Sequence, residues 1–466
     1  MNKSLFKDFD SVSAKQWKQK IQFDLKGADY NDTLIWKSNE DISVKPFYHA
    51  DDFKELPEIS NTKATQWKIC QTIFVADVKK SNLKAIDAIE KGAESLKFII
   101  PSEEVSINNL LENINFENIP LYFELHFLSA AFIENINVIS EKAEIHIQTD
   151  IIGNLAKSGN WFENLNSDFK TFSNIVAGGT KQFGSNISVD LSLYQNAGAN
   201  MVQQLAYGLA HANEYLNYFE NNDTGWEQKK HVFKITFNLS VGSNYFFEIA
   251  KLRALRILWS TLATEYNVNP ECHILAIPSI RNKTIYDYNT NLLRTTTECM
   301  SAILGGANAI CNLPYDAMYH KVNEFSTRIS RNQLLILKHE SCFNKVNNPS
   351  DGAYYIESLT NQLTEKGLVL FKDIEANGGF LKQLKDGIIQ RKLKESAAKE
   401  QHQFATGIDV LIGSNKHPNP NDKMKNELEL YPFVKTNQRK TLIEPIIEKR
   451  LSEILEQKRL KNEDKF

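Results

Sequence analysis

Alternating apolar runs followed by helix-periodic stretches recur eight times between residues 67 and 314, and no other feature restricts the fold so sharply. The runs are "WKICQTIFV" (67–75), "SLKFII" (95–100), "IPLYFELHF" (119–127), "EIHIQTD" (144–150), "NISVDLS" (186–192), "HVFKITFNLS" (231–240), "CHILAIPS" (272–279) and "NAICNLP" (308–314). Between them lie amphipathic stretches such as "NLKAIDAIEKGA", residues 199–219 and "YFFEIAKLRALRILWSTLATEYN". A period of two marks strands and a period near 3.6 marks helices. Strand-then-helix repeated eight times is the sequence form of an α/β fold closed as a (β/α)8 TIM barrel. A doubly wound open sheet would more often have fewer strands and a glycine-rich phosphate turn after the first, and no G-x-G-x-x-G occurs here.

The flanks differ in character. Residues 1–60 are polar with scattered aromatics: Phe6, Phe9, Trp17, Phe23, Tyr30, Trp36, Phe47 and Tyr48. Ser13 is placed to cap a helix through "AKQWKQKIQFD", with strand-like pieces after it. This arm is too small for a core of its own, so its aromatics need another surface. Residues 61–330 are expected to form the barrel. Residues 331–466 read as a helical extension that completes the barrel domain. It ends in a tail whose Leu442, Ile443, Ile446, Ile447, Leu451, Ile454 and Leu455 recur at spacings of three and four, so an apolar-faced docking helix is expected over 439–466.

Composition narrows the function classes. With 54 Lys plus Arg against 57 Asp plus Glu, the chain lacks the basic excess of a nucleic-acid binder. The N-terminus shows no apolar signal region, and no run approaches the roughly 18 apolar residues of a membrane span. Five scattered cysteines form no C-x-x-C pair, which fits a reducing cytoplasm and argues against a disulfide framework or zinc site. The ten histidines include no H-x-x-x-H pair, and His126, His146 and His211 read as structural. The "LGG" at 304–306 reads as a helix C-cap, and Glu298 as a cap or a solvent-facing residue. No nucleophile, base and orienter assemble at a readable spacing.

The run "RTTTECMSAILGGANAICNLPYDA" (294–317) resembles the barrel of the adenosylcobalamin-dependent methylmalonyl-CoA mutases, which carry a similar R-T-T-x-E helix, "LGG" turn and strand. "STRISRNQLLILKHES", "NNPSDGAYYIESLT" and "GIDVLIGSNKH" resemble further blocks of that family in the same order. The stretch "WKQKIQFDLKGADYNDTLIWKSNEDISVKPFYHADD" resembles the arm of its small subunit. The resemblance implies a barrel that threads an acyl-CoA along its axis, a cobalamin-binding flavodoxin-like domain beyond it, and radical isomerisation of (R)-methylmalonyl-CoA and succinyl-CoA.

Four departures from the family pattern bear on activity. No histidine here has aspartate two residues before it, as the family's D-x-H-x-x-G cobalt-binding motif requires. "SLYQNAGA" keeps Tyr194 but has Gln195 and Asn196 where active chains carry a substrate-binding histidine. "TKATQWKICQ" keeps Gln71 but has Thr62 at the position of a family tyrosine. "QTDIIGNLAKS" keeps Gln148 but has Ser158, next to Lys157, near the position of an arginine that pairs with the substrate carboxylate. A buried carboxylate without its cation costs several kcal/mol, and a lost transition-state hydrogen bond costs about 3 more. The resemblance therefore implies a small (beta) subunit without catalytic residues, with Thr62, Ser158, Tyr194 and Gln195 as degenerate positions. Gln71, Gln148, Tyr194 and Gln195 are the expected channel lining. No cofactor or metal is expected on this chain, adenosylcobalamin being held by a large (alpha) subunit partner. The alternatives are an active barrel that borrows a separate cobalamin-binding protein, or a free-standing CoA-binding scaffold.

Overall fold

The computed structural model describes residues 8, 10–55, 57, 59–60, 62–137, 143–178, 183–185, 187–222, 226–230, 233–435 and 439–463; Phe6, Phe9, Asn186 and the last three residues lie outside these. A short antiparallel hairpin, β1 (Trp36–Lys37) with β2 (Ser43–Val44), belongs to the arm. The other strands form one parallel sheet: β3 (Lys68–Phe74), β4 (Ser95–Ile100), β5 (Leu121–Leu125), β6 (Ile145–Gln148), β7 (Phe183–Ser185), β8 (Ile187–Asp190), β9 (Ile235–Val241), β10 (His273–Pro278) and β11 (Ala309–Cys311). Their spatial order is β7-β6-β5-β4-β3-β11-β10-β9-β8. Single residue 186 separates β7, which pairs with β6, from β8, which pairs with β9. The two pieces fill the place of one strand and bring the ring to closure, so the eight expected strands appear as nine segments. The open-sheet alternative is thereby excluded.

Two apolar layers line the outer face of the ring. One lies between the strands and the helices Met201–Asn222, Tyr245–Glu265 and Tyr354–Ala376, which pack on one another. The other covers β3 to β6. Ser13 does cap the arm helix Ala14–Asp24, in a reciprocal box with Gln16, yet none of that helix's residues is buried. Gly305 is the C-cap of the helix Thr290–Leu304, as the "LGG" reading expects. Glu298 on that helix is neither a cap nor solvent-facing: it is buried, 2.8 Å from Lys283 Nζ and hydrogen-bonded by Asn282.

The tail corrects the sequence reading. Among the described residues of the tail, only Glu453–Asn462 forms an α-helix. Pro445 lacks the amide a helix interior needs, and residues 441–452 run as an irregular strap. Ile443, Ile446 and Leu451 are buried, whereas Leu442, Ile447 and Ile454 are exposed. The strap is stitched to the barrel's own loops: the amides of Leu442 and Ile443 donate to Gly159 O, Ile446 N to Ala156 O, Lys449 N to Asn196 O, and Leu451 N to Arg281 O. Gly159 ends the helix Ile151–Ser158 at φ 79°, and a Cβ there would lie 2.8 Å from Ile443 O.

Candidate functional site at the barrel mouth

In parallel barrels, ligands meet the face reached by the C-terminal ends of the strands. Side-chain alternation assigns what points to that axis. The outward residues of β3, Ile69 and Ile73, join the helix-facing cores, which turns Cys70, Thr72 and Phe74 inward. The floor of the barrel is ringed by aromatic side chains. Tyr122 and His146 stack with centroids 4.6 Å apart, His273 lies 4.1 Å from His146, and Tyr122 Oη is 2.9 Å from His273 Nε2. Burial, with His146 and Arg256 nearby, holds the His273 imidazole well below its ordinary range and so neutral.

Higher up the axis becomes charged. Lys97 Nζ lies 2.7 Å from Glu124 Oε2, and Gln148 Nε2 donates to Asn238 Oδ1 at 2.8 Å. Burial opposes the charge on Lys97, but Glu124 overrides it and raises its pKa; Lys97 and His126 likewise hold Glu124 well below the carboxylate range against burial. At the rim, burial pushes the Asp190 carboxyl up to about 6, against a hydrogen bond from Ser192 and the charge of Lys157. Phe74 and His126 are half-exposed on the β3–β5 side. On the other side the strap crosses the rim. Glu448 Oε1 accepts from Asn196 Nδ2 at 2.9 Å, and Glu448 Oε2 lies 3.6 Å from Lys157 Nζ.

The sequence-derived positions do not converge. Gln195 sits at the mouth, buried, but its Oε1 accepts from Lys251 Nζ at 2.9 Å and its Nε2 donates to Glu248 Oε1 at 3.3 Å. Gln148 lies on the axis, with Oε1 left without a partner. Tyr194, one residue before Gln195, points the other way: its hydroxyl meets His211 Nδ1 at 2.9 Å, and its ring packs on Tyr207 and Phe380 in the helical layer. Gln71 also faces outward, accepting from Arg331 Nη1 on the helix Glu324–Leu335. Thr62 precedes β3 and donates to Asn347 O, so it sits at the opposite end of the barrel from Gln195. Ser158 closes its helix and donates to Asn160 O; its neighbour Lys157 is the residue that reaches the rim.

His211 is structural in the plainest sense. Its Nε2 lies 2.9 Å from Asp150 Oδ1, which also accepts from Tyr215 and from Gly153 N. Asp150 Oδ2 accepts from Asp190 N, so one carboxylate ties the β6 loop, β8 and the helix Met201–Asn222 together. The sequence reading missed Lys97, Glu124, Asp190, Lys251 and Glu448. The first three were visible as lone charges at inward positions of otherwise apolar strands. These residues do not fit a corrin. Around the mouth, His211 is buried and engaged at both nitrogens, His126 and His320 pair with Glu124 and Asp316, and the strap occupies the rim. Among the described residues no cluster of three or more His, Cys, Asp or Glu side chains could hold a metal ion.

A closed parallel barrel with a charged C-terminal mouth places the chain among the (β/α)8 proteins. Comparison with known proteins then gives the family. The model of a family described as methylmalonyl-CoA mutase matches residues 104–461. A methylmalonyl-CoA mutase small subunit from Porphyromonas gingivalis is 34% identical over 445 residues, covering 89% of this chain and 71% of the relative. A methylmalonyl-CoA mutase from Cereibacter sphaeroides is 28% identical over 459 residues, covering 86% of this chain and 64% of the relative. The mitochondrial methylmalonyl-CoA mutase of Homo sapiens is 28% identical over 454 residues, with 86% and 60% covered. The chain thus spans less than two thirds of the length of the last two. It belongs to the methylmalonyl-CoA mutase family, a family of isomerases.

Proposed function

We propose that this chain is the small, non-catalytic subunit of a two-chain, cytoplasmic methylmalonyl-CoA mutase. A large subunit would hold adenosylcobalamin and interconvert (R)-methylmalonyl-CoA and succinyl-CoA. The observation that carries this reading is Gln195. At the position where the resemblance puts a substrate-binding histidine, both ends of the side-chain amide are spent on Lys251 and Glu248. The filled axis supports it, since Tyr122, His146 and Lys97 occupy the path an acyl-CoA would take. The arm 1–60 is the proposed partner contact: Trp17, Phe23 and Trp36 expose half or more of their surface, and exposed aromatics are characteristic of interfaces. The remainder, 61–330 with 331–466 closing over it, would serve as scaffold. The test is a mutase assay with adenosylcobalamin and succinyl-CoA, using this chain alone and mixed with a large subunit from the same source. Turnover is expected only in the mixture. Turnover with this chain as the sole barrel present would overturn the reading.

A further inference from the structure

We propose that Cys70 and Cys311 form a redox-active dithiol, a modification site at which a hydroperoxide closes the barrel's own seam with a disulfide. The proposal is independent of the subunit reading, because it concerns the joint between two strands of this chain and not what turns over at the mouth.

The seam is where the ring begins and ends. β3 is the first strand of the barrel and β11 the last, and they meet over three register pairs: Lys68 with Ala309, Ile69 with Ile310, and Cys70 with Cys311. Ile69 and Ile310 face the helices, so the cysteines of the next pair share the inward face, packed in one cluster with Tyr122, Leu275 and Ala309. Neighbouring strands lie about 4.8 Å apart, inside the roughly 4.4–6.8 Å over which a disulfide joins two Cα atoms. Adjacent strands, common register and a common face are what such a bond requires. The other cysteines do not meet these conditions: Cys272 precedes β10, Cys299 lies on the helix Thr290–Leu304, and Cys342 is exposed.

The pair is asymmetric, as a dithiol couple needs to be. Burial works against ionising either thiol. At Cys311 that opposition is overcome: the Cys70 thiol donates to its sulfur, Lys97 places a positive charge nearby, and the Thr72 hydroxyl donates a second bond. Together they hold Cys311 below the ordinary thiol range although Glu124 acts the other way, while Cys70 is pushed well above it. Cys311 is thus the nucleophile and Cys70 the resolving thiol. They are 2% and 4% exposed, too buried for a bulky disulfide reagent such as oxidised glutathione. Solvent comes within one hydrogen bond of Cys311 at the partly exposed Thr72, so the fitting oxidant is one close to water in size.

In the first step the Cys311 thiolate attacks one peroxide oxygen; the O–O bond breaks, hydroxide leaves and a sulfenic acid forms. In the second, the Cys70 sulfur attacks Cys311 Sγ; the S–O bond breaks, and the departing hydroxide takes the Cys70 proton as water. The two sulfurs give up two electrons and the peroxide takes them. The new bond joins the first strand to the last, and in a reducing compartment it is reversible.

The test uses the full chain carrying Cys342→Ser, so that the exposed thiol does not compete. The folded protein is treated with hydrogen peroxide, denatured in iodoacetamide and mapped by mass spectrometry. A linked Cys70–Cys311 peptide is expected, with Cys272 and Cys299 alkylated as free thiols, full reversal by dithiothreitol, and a higher urea midpoint for the oxidised chain. Cys70→Ser is expected to stop at a sulfenic acid on Cys311, trapped by dimedone. Cys311→Ser is expected to slow peroxide oxidation of Cys70 about tenfold or more, because the remaining thiol stays protonated. Alkylation of both Cys70 and Cys311 after peroxide would overturn the proposal. So would sulfinic acid on Cys311 without a link, or an oxidised chain that unfolds at lower urea. Should a variant fail to fold, the wild type mapped in the same way decides, and absence of the linked peptide rejects the site.

Discussion

The two ends of the barrel axis solve the same packing problem with opposite chemistry. The floor is filled by rings, Tyr122 with His146 and His273, whose imidazole stays uncharged. The mouth is filled by ions and amides: Lys97 with Glu124, Gln148 with Asn238, Asp190 at the rim. Shape holds the floor, so its stability is sensitive to lost volume. Pairing holds the mouth, so it is sensitive to lost partners and to pH.

The sharpest way to break the contrast is volume. Tyr122→Ala on the floor should cost about 3–5 kcal/mol in urea unfolding, because a buried aromatic leaves a cavity its neighbours cannot fill. Next comes the ion pair. Lys97→Ala should cost roughly 2–3 kcal/mol, less than for a fully buried pair because Glu124 keeps 32% of its side chain exposed. The double change Lys97→Met with Glu124→Leu should return most of that loss, since replacing both partners removes the stranded charge. Full cost in the double variant would show that the pair is held for shape, like the floor.

The third test is pH, and the two ends should tilt in opposite senses. The folded His273 titrates well below its unfolded value, so its contribution is present near neutrality and lost as pH falls below about 6.5. Asp190 titrates at about 6 when folded, above its unfolded value, so its contribution is present below about 4 and lost as pH rises towards 6. For Asp190 the gap of about two units between the folded and unfolded carboxyl corresponds to about 3 kcal/mol across its window. Measured in parallel, Asp190→Asn should remove the loss on raising pH and leave the loss on acidification. His273→Gln should do the reverse. Identical pH profiles for the two variants would end the comparison.

Much of this was legible in the sequence, for physical reasons that also mark where legibility stops. Alternation exposed all eight strands, because the outward positions are apolar while polar side chains recur among the inward ones, as Tyr122 and Glu124 do in "IPLYFELHF". Ser13 and Gln16 announced their helix by capping chemistry alone. The tail misled because spacings of three and four were read past Pro445, whose missing amide outweighs any apolar stripe. The site was harder. Tyr194 and Gln195 are neighbours in the chain yet face opposite layers, and Thr62 lies at the far end of the barrel from Gln195. Facing depends on strand register and on which loop returns over the mouth, and neither is written locally. Asn196 gains its role only from Ser279 and Glu448, which lie 83 and 252 residues away.

Those separations also bear on the order of events during synthesis. The strap's contacts reach back 168 residues to Arg281 and 282 to Asn160. None can form until residues beyond 441 have left the ribosome, whereas the strands they cover are complete by Cys311. A barrel that closed within that interval would present an open, charged mouth. The strap is the step that ends this exposure, so a chaperone or partner subunit that meets the chain early would meet a surface the finished protein no longer shows.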